Sequence, residues 1–121
     1  GNAARPAGAP AVSGLLIEDI TPRDLAVRLG EEQRPLLLDV REAWELSIAR
    51  IDPSMHMPMN DVPDRLEELN PDQEIVVLCH HGRRSRQVIA FLKQSGFRQV
   101  LNLAGGIDAW SAEVDPGVPV Y

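Results

Sequence analysis

The chain has 121 residues, enough for one domain with one real core. Hydrophobic residues make up 44% and charged residues 25%, and no apolar run approaches the roughly 20 residues of a membrane span. A formal net charge of -6 argues against general nucleic-acid binding, and a single cysteine excludes an internal disulfide, a C-x-x-C pair and a four-cysteine zinc site.

Residues 1–14 are rich in Ala, Gly and Pro without hydrophobic periodicity and are expected to form a flexible tail. The domain is expected over 15–121, where strand and helix signals alternate. Leu15–Ile17 is a short strand candidate. Thr21-Pro22-Arg23-Asp24 reads as a helix start, with Thr at the N-cap and Pro at the first position, and Gly30 is expected to end that helix in a left-handed conformation. Leu36–Val40 is a continuous apolar run, as in a central parallel strand, and Arg41–Leu46 reads as a short helix. Met55–Pro58 is a weak strand. Asp61–Leu69 is expected to be helical, with Val62, Leu66 and Leu69 on one stripe. Glu74–Leu78 is a buried strand, followed by a helix to about Ser95 that Gly96-Phe97 caps. Gln99–Leu103 is the last strand, and Gly105–Trp110 leads into a final helix. The pattern predicts a doubly wound α/β domain with a five-stranded, mostly parallel sheet and helices on both faces.

Ligands of such folds bind beyond the carboxyl ends of the strands, and Cys79 stands at one. His80-His81-Gly82-Arg83-Arg84-Ser85-Arg86 follows it, then the apolar start of a helix. A thiolate is the reactive form of cysteine, and a free thiol has a pKa of about 8.5. The N-terminus of a helix beginning near Ser85 and the charges of Arg83, Arg84 and Arg86 favour the thiolate. Gly82 permits a positive φ that gathers backbone amides around one point. A lone cysteine at a strand end is most often a small hydrophobe. The glycine, the arginine cluster and the strand-to-helix position favour a nucleophile instead. His80 and His81 would be strained as metal ligands beside Cys79, so no metal is expected, and they are placed at the pocket entrance. Trp44 and Trp110 read as core or pocket-rim residues.

These motifs resemble the rhodanese (thiosulfate sulfurtransferase) family, single-domain type, from about Leu15 to Val120. Leu38-Asp39-Val40-Arg41-Glu42 is similar to the strand before the family's first signature. Cys79-His80-His81-Gly82-Arg83-Arg84-Ser85 is similar to its active-site loop. Gly96-Phe97, Leu103-Ala104-Gly105-Gly106-Ile107-Asp108-Ala109-Trp110 and Gly117-Val118-Pro119-Val120 are similar to its C-terminal signature. The stretch Ala49–Ser54 departs from the family's Gly-His-Ile-Pro-Gly-Ala segment and keeps only Ile51.

The resemblance implies transfer of a sulfane sulfur through a persulfide on catalytic Cys79, from thiosulfate or a protein persulfide to cyanide or a thiol. It implies substrate binding by His80, His81, Gly82, Arg83, Arg84 and Ser85, with Arg84 foremost in facing the anion, and support from Asp39 and Arg41. No cofactor, nucleic acid or membrane is implied. A cytoplasmic monomer is expected.

Two alternatives stand beside this reading. A phosphatase or arsenate reductase on the same fold needs an arginine six places after the cysteine, where this chain has Ser85. The other is a protein-binding module: a non-catalytic one would bind a partner without depending on Cys79, whereas a sulfur-relay shuttle would use the same loop.

Overall fold

A computed structural model describes residues 16–121; the expected tail over 1–14 and Leu15 lie outside them. Five strands form one sheet: β1 (Glu18–Ile20), β2 (Leu36–Asp39), β3 (Met55–His56), β4 (Ile75–Leu78) and β5 (Val100–Leu103). Their spatial order is β1-β5-β4-β2-β3, and every pairing is parallel. All five carboxyl ends therefore share one edge. From β2 the chain moves outward to β3, and from β4 it moves the other way to β5. That reversal opens the crevice between β2 and β4, where such folds hold their ligands.

Four helices cover the sheet: α1 (Pro22–Leu29), α2 (Ala43–Ile48), α3 (Arg83–Gln94) and α4 (Gly106–Glu113). The pleat of β4 sends successive side chains to opposite layers. Ile75, Val77 and Cys79 join Val88, Ile89 and Leu92 of α3 in one core. Val76 and Leu78 join Leu25 of α1 and Ile107 and Trp110 of α4 in the other. β4 is wholly buried because helices press on both of its faces, which explains its unbroken apolar run. Among the described residues no helix is long and apolar enough to cross a membrane.

Capping chemistry sets several boundaries. Thr21 Oγ1 accepts the Asp24 N–H at 3.1 Å, with Pro22 opening α1. Gly96 has φ +96°, and the Phe97 N–H reaches back to the Leu92 carbonyl at 3.0 Å. That is a Schellman closure, with Phe97 buried against the core.

The structure departs from expectation in four places. The first strand is Glu18–Ile20 rather than Leu15–Ile17, because its register on β5 aligns Ile20 with Leu103 and leaves Leu16 75% exposed. Gly30 is right-handed, at φ -86°; its N–H and that of Glu31 close tight turns onto the Val27 and Arg28 carbonyls. Asp61–Leu69 is not an α-helix but part of two 3-10 turns, Met59–Asp61 and Pro63–Glu68, with a break at Arg65. Pro63 has no N–H to continue a helix from the first turn, yet Val62 and Leu69 still bury. Finally, α3 begins at Arg83, directly after Gly82.

Candidate active site

Cys79 leaves β4 at its carboxyl end and is 1% exposed, so only a ligand entering the loop can meet its sulfur. Gly82 takes φ +108° as the N-cap of α3, a conformation that favours glycine. This turn aims the Gly82 N–H at Cys79 Sγ at 3.0 Å, and the Ser85 N–H points to the same atom at 3.4 Å. Two free N–H groups of a helix start thus converge on one sulfur, an arrangement suited to negative charge.

The other flank of the loop is fixed by α4. The Ile107 N–H donates to the Cys79 carbonyl at 2.9 Å, and the Asp108 N–H donates to the His80 carbonyl at 3.2 Å. A trans peptide puts its N–H opposite its C=O, so the His80 and His81 amides turn away from α4. This clamp needs a close approach of two backbones. Gly106, at φ +65°, provides it, and a Cβ there would overlap the Cys79 and His80 carbonyls.

A buried polar chain runs from the sulfur toward the surface. Cys79 Sγ lies 3.5 Å from Ser85 Oγ, and Ser85 Oγ donates to Asn102 Oδ1. Asn102 Nδ2 donates to Asp19 Oδ1 at 2.9 Å, and Arg86 meets the same oxygen at 3.1 Å.

A second polar cluster lies toward α2. Arg84 makes a two-pronged pair with the buried Glu45 carboxylate, at 2.5 and 2.8 Å. Glu45 also accepts from the Tyr121 hydroxyl at 2.6 Å and from the Glu42 N–H at 3.0 Å. The Arg84 hydrogen bonds, aided by those from Tyr121 and Glu42, hold the Glu45 carboxyl down at about 2 against its burial. The same pair raises Arg84 above its ordinary range. Burial and the neighbouring carboxylate push Tyr121 up to about 12.

Asp39 and Arg41 form a fully buried ion pair at 2.7 Å. The Arg41 guanidinium also donates to the Ala49 carbonyl at 2.7 Å and to the Tyr121 hydroxyl at 2.9 Å. His56 Nε2 bonds the Arg41 carbonyl at 2.7 Å. The altered Ala49–Ser54 segment is thereby tied into the site through the Ala49 carbonyl and the buried Ile51.

The sequence-predicted residues separate into groups. Cys79, Gly82 and Ser85 meet at the sulfur, while Arg84 is turned to Glu45 and Arg83 is exposed. His80 stacks between His81 and Tyr121, each 3.9 Å away by ring centroids. Burial, and then the nearby His81, lower the pKa of His80. His81 Nε2 is 3.7 Å from Asp108, so His80, His81 and Asp108 offer three ligand atoms close together. A histidine ligates in the plane of its ring, and two rings stacked at 24° do not converge on one ion.

Glu45, Asn102, Asp19 and Tyr121 belong to the site and were not singled out by sequence reasoning. Asn102 did carry a signal, as the one polar residue in Val100-Leu101-Asn102-Leu103.

The profile of the rhodanese-like domain family matches residues 21–113. A sulfurtransferase from Allochromatium vinosum is 35% identical over 105 residues, covering 87% of this chain and 95% of that one. The crystal structure of a rhodanese-related protein from Thermoplasma volcanium superposes with a TM-score of 0.71 at 31% identity, covering 86% of this chain and 97% of that one. A rhodanese-like domain protein from Staphylococcus aureus gives a TM-score of 0.76 at 28% identity, covering 87% and 99%. These likenesses support sulfur transfer as the general chemistry, and the chain belongs to the rhodanese family.

Proposed function

We propose that the protein moves a sulfane sulfur from thiosulfate, or from another persulfide donor, to cyanide or a thiol by way of a Cys79 persulfide. The Cys79 thiolate attacks the outer sulfur of thiosulfate. The donor S–S bond breaks, sulfite leaves with the bonding pair, and Cys79–S–S⁻ remains. Cyanide or a thiolate then attacks the outer sulfur, forming thiocyanate or a new persulfide and returning the Cys79 thiolate.

The observation that carries this reading is the pair of N–H groups, from Gly82 and Ser85, aimed at Sγ. They neutralise charge on the sulfur without a proton being moved. The amides of His80 and His81 extend the same cradle toward the added sulfur. Arg84 lends positive field from its pair with Glu45, and exposed Arg83 and His81 attract the anion at the mouth. The Asp39–Arg41 pair supports the loop indirectly, through Tyr121 beneath the His80 ring.

The test is the intact mass of the protein after thiosulfate and then after cyanide. The expected result is a gain of one sulfur atom that cyanide removes and that Cys79→Ser never acquires. A gain that persists in Cys79→Ser would place the chemistry elsewhere. No gain from thiosulfate or from a persulfide donor would defeat the proposal.

A further inference from the structure

Ser85 is fully buried and Asn102 is 2% exposed, so their hydrogen bonds are not shared with solvent. A serine hydroxyl has one proton to give. Here it goes to Asn102 Oδ1. The orientation of the Asn102 amide is settled by its other end, where the Asp19 carboxylate can only accept and so requires Nδ2. With its proton turned toward Asn102, Ser85 Oγ presents lone pairs to Cys79 Sγ, 3.5 Å away. A thiol can donate to those lone pairs, whereas a thiolate meets them as electron density against electron density. The Gly82 and Ser85 N–H groups favour the thiolate, and the Ser85 hydroxyl opposes it.

We propose that Asn102 is a positioning residue that holds the Ser85 proton away from Cys79, so that the hydroxyl offers the sulfur its lone pairs rather than its proton until it turns. On ionisation the thiol proton leaves to a solvent base. The Ser85 O–H then swings from Asn102 Oδ1 to Sγ, with no bond of Ser85 broken. Asp19 is the outer anchor, setting the amide from the surface end of the chain of contacts.

Many charges also surround Cys79. They are Glu45 on α2, Arg83, Arg84 and Arg86 on α3, Asp108 on α4, Asp19 on β1, and Asp39 and Arg41 at the end of β2. His80 and His81 in the loop, His56 at the end of β3 and Tyr121 are the other titratable groups there. Replacing uncharged Asn102 removes no charge and frees only the Asp19 carboxylate from a hydrogen bond, an effect that does not depend on Ser85, so the part of the shift that needs Ser85 reports the hydroxyl.

The inference rests on Cys79 as the reactive group of the proposed function. Its test needs no sulfur donor, so a failure of persulfide formation leaves it readable. The rate of Cys79 alkylation by iodoacetamide is followed against pH in the full chain. In Asn102→Ala the freed hydroxyl donates to the thiolate, and the midpoint moves down by about one unit. Well below the midpoint, the thiolate fraction rises about tenfold and alkylation about threefold, because the less basic thiolate is also the weaker nucleophile. In a Ser85→Ala background the same substitution produces no such fall. An unchanged or raised midpoint, or an equal fall without Ser85, overturns the proposal.

Should Asn102→Ala fail to fold, Asp19→Ala takes its place, since the Asp19 side chain is 48% exposed. Freed of Asp19, the amide can turn Nδ2 toward Ser85, and the midpoint falls by a smaller step. Loss of the Asp19 charge alone would lower the midpoint with or without Ser85. A step that is larger with Ser85 present than in Ser85→Ala therefore supports the proposal, and one of equal size in both overturns it.

Discussion

On the α3 side of Cys79 the sulfur meets two backbone N–H groups and one side-chain hydroxyl. On the α2 side, charge meets charge: Arg84 with Glu45, Arg41 with Asp39, and Tyr121 between them. The first arc is held by glycine geometry and by the α4 clamp. The second arc spends its positive charge internally. Arg84 carries a cation to the loop, yet both its terminal nitrogens are bound to a carboxylate. Fixed dipoles hold the sulfur, and paired charges hold the wall around it. The arginines that dominate the loop in sequence are therefore not the groups that touch the sulfur.

The sharpest way to divide the two arcs is to remove the atom they flank. Cys79→Ser is expected to abolish sulfur transfer while the thermal midpoint stays near that of the parent; residual turnover near wild type would sink the mechanism. Gly106→Ala attacks the clamp. Its Cβ overlaps backbone at a φ of +65°, so unfolding in urea is expected to become easier by about 3 kcal/mol, with loss of activity. An unaltered urea midpoint would mean that the α4 contact gives way without cost.

Glu45→Gln tests the charged arc at a cost of about 1–2 kcal/mol, moderated because Arg84 is 30% exposed. The pH dependence gives a cleaner signature. Glu45 is held down at about 2 from an ordinary 4.5. Its contribution to stability is complete above 4.5 and is lost as pH falls toward 2. Stability in that acid window should therefore vary less steeply in Glu45→Gln than in the parent. Arg84→Ala should weaken thiosulfate use and also lower stability, since it leaves the buried carboxylate without its cation. Unchanged kinetics would move the anion-facing role to Arg83.

Gly82→Ala is milder than Gly106→Ala. The new Cβ has room, 3.6 Å from Asn102, and only the φ of +108° is strained, at about 1–2 kcal/mol. Activity should fall more than stability, because the strained turn aims the N–H at Sγ. Equal loss of both would mean that the turn serves the fold alone. Arg83→Ala is the smallest, within about 0.5 kcal/mol in stability, with a salt-dependent effect on donor capture as its expected trace.

The same contrast separates what the sequence revealed from what it hid. β2 and β4 were legible because central parallel strands must be apolar on both faces. The sulfur arc was legible because it lies within one short segment, from Cys79 to Ser85. Edge strand β1 was misplaced because only one of its residues, Ile20, is buried. The segment after Pro58 kept its apolar stripe but not its helix, since proline and a break at Arg65 override the period. Asp39 and Arg41, two residues apart, were legible too, whereas the contacts hidden from sequence join partners far apart along the chain. Arg84 reaches Glu45 across 39 residues, Tyr121 reaches Glu45 across 76, and Asn102 reaches Asp19 across 83. No local spacing encodes such pairs; the strand order brings them together at one end of the sheet.

The protein also carries its own optical probe. Of its two tryptophans, Trp110 is buried in the core, while Trp44 is 60% exposed and set edge-on to Tyr121, with ring centroids 6.2 Å apart. Tyr121 in turn lies flat against His80, the residue next to the sulfur. Trp44 is thus joined to the loop through two ring contacts, and its emission is expected to change when the sulfur site is loaded, a change that stopped-flow fluorescence would time without attaching any dye.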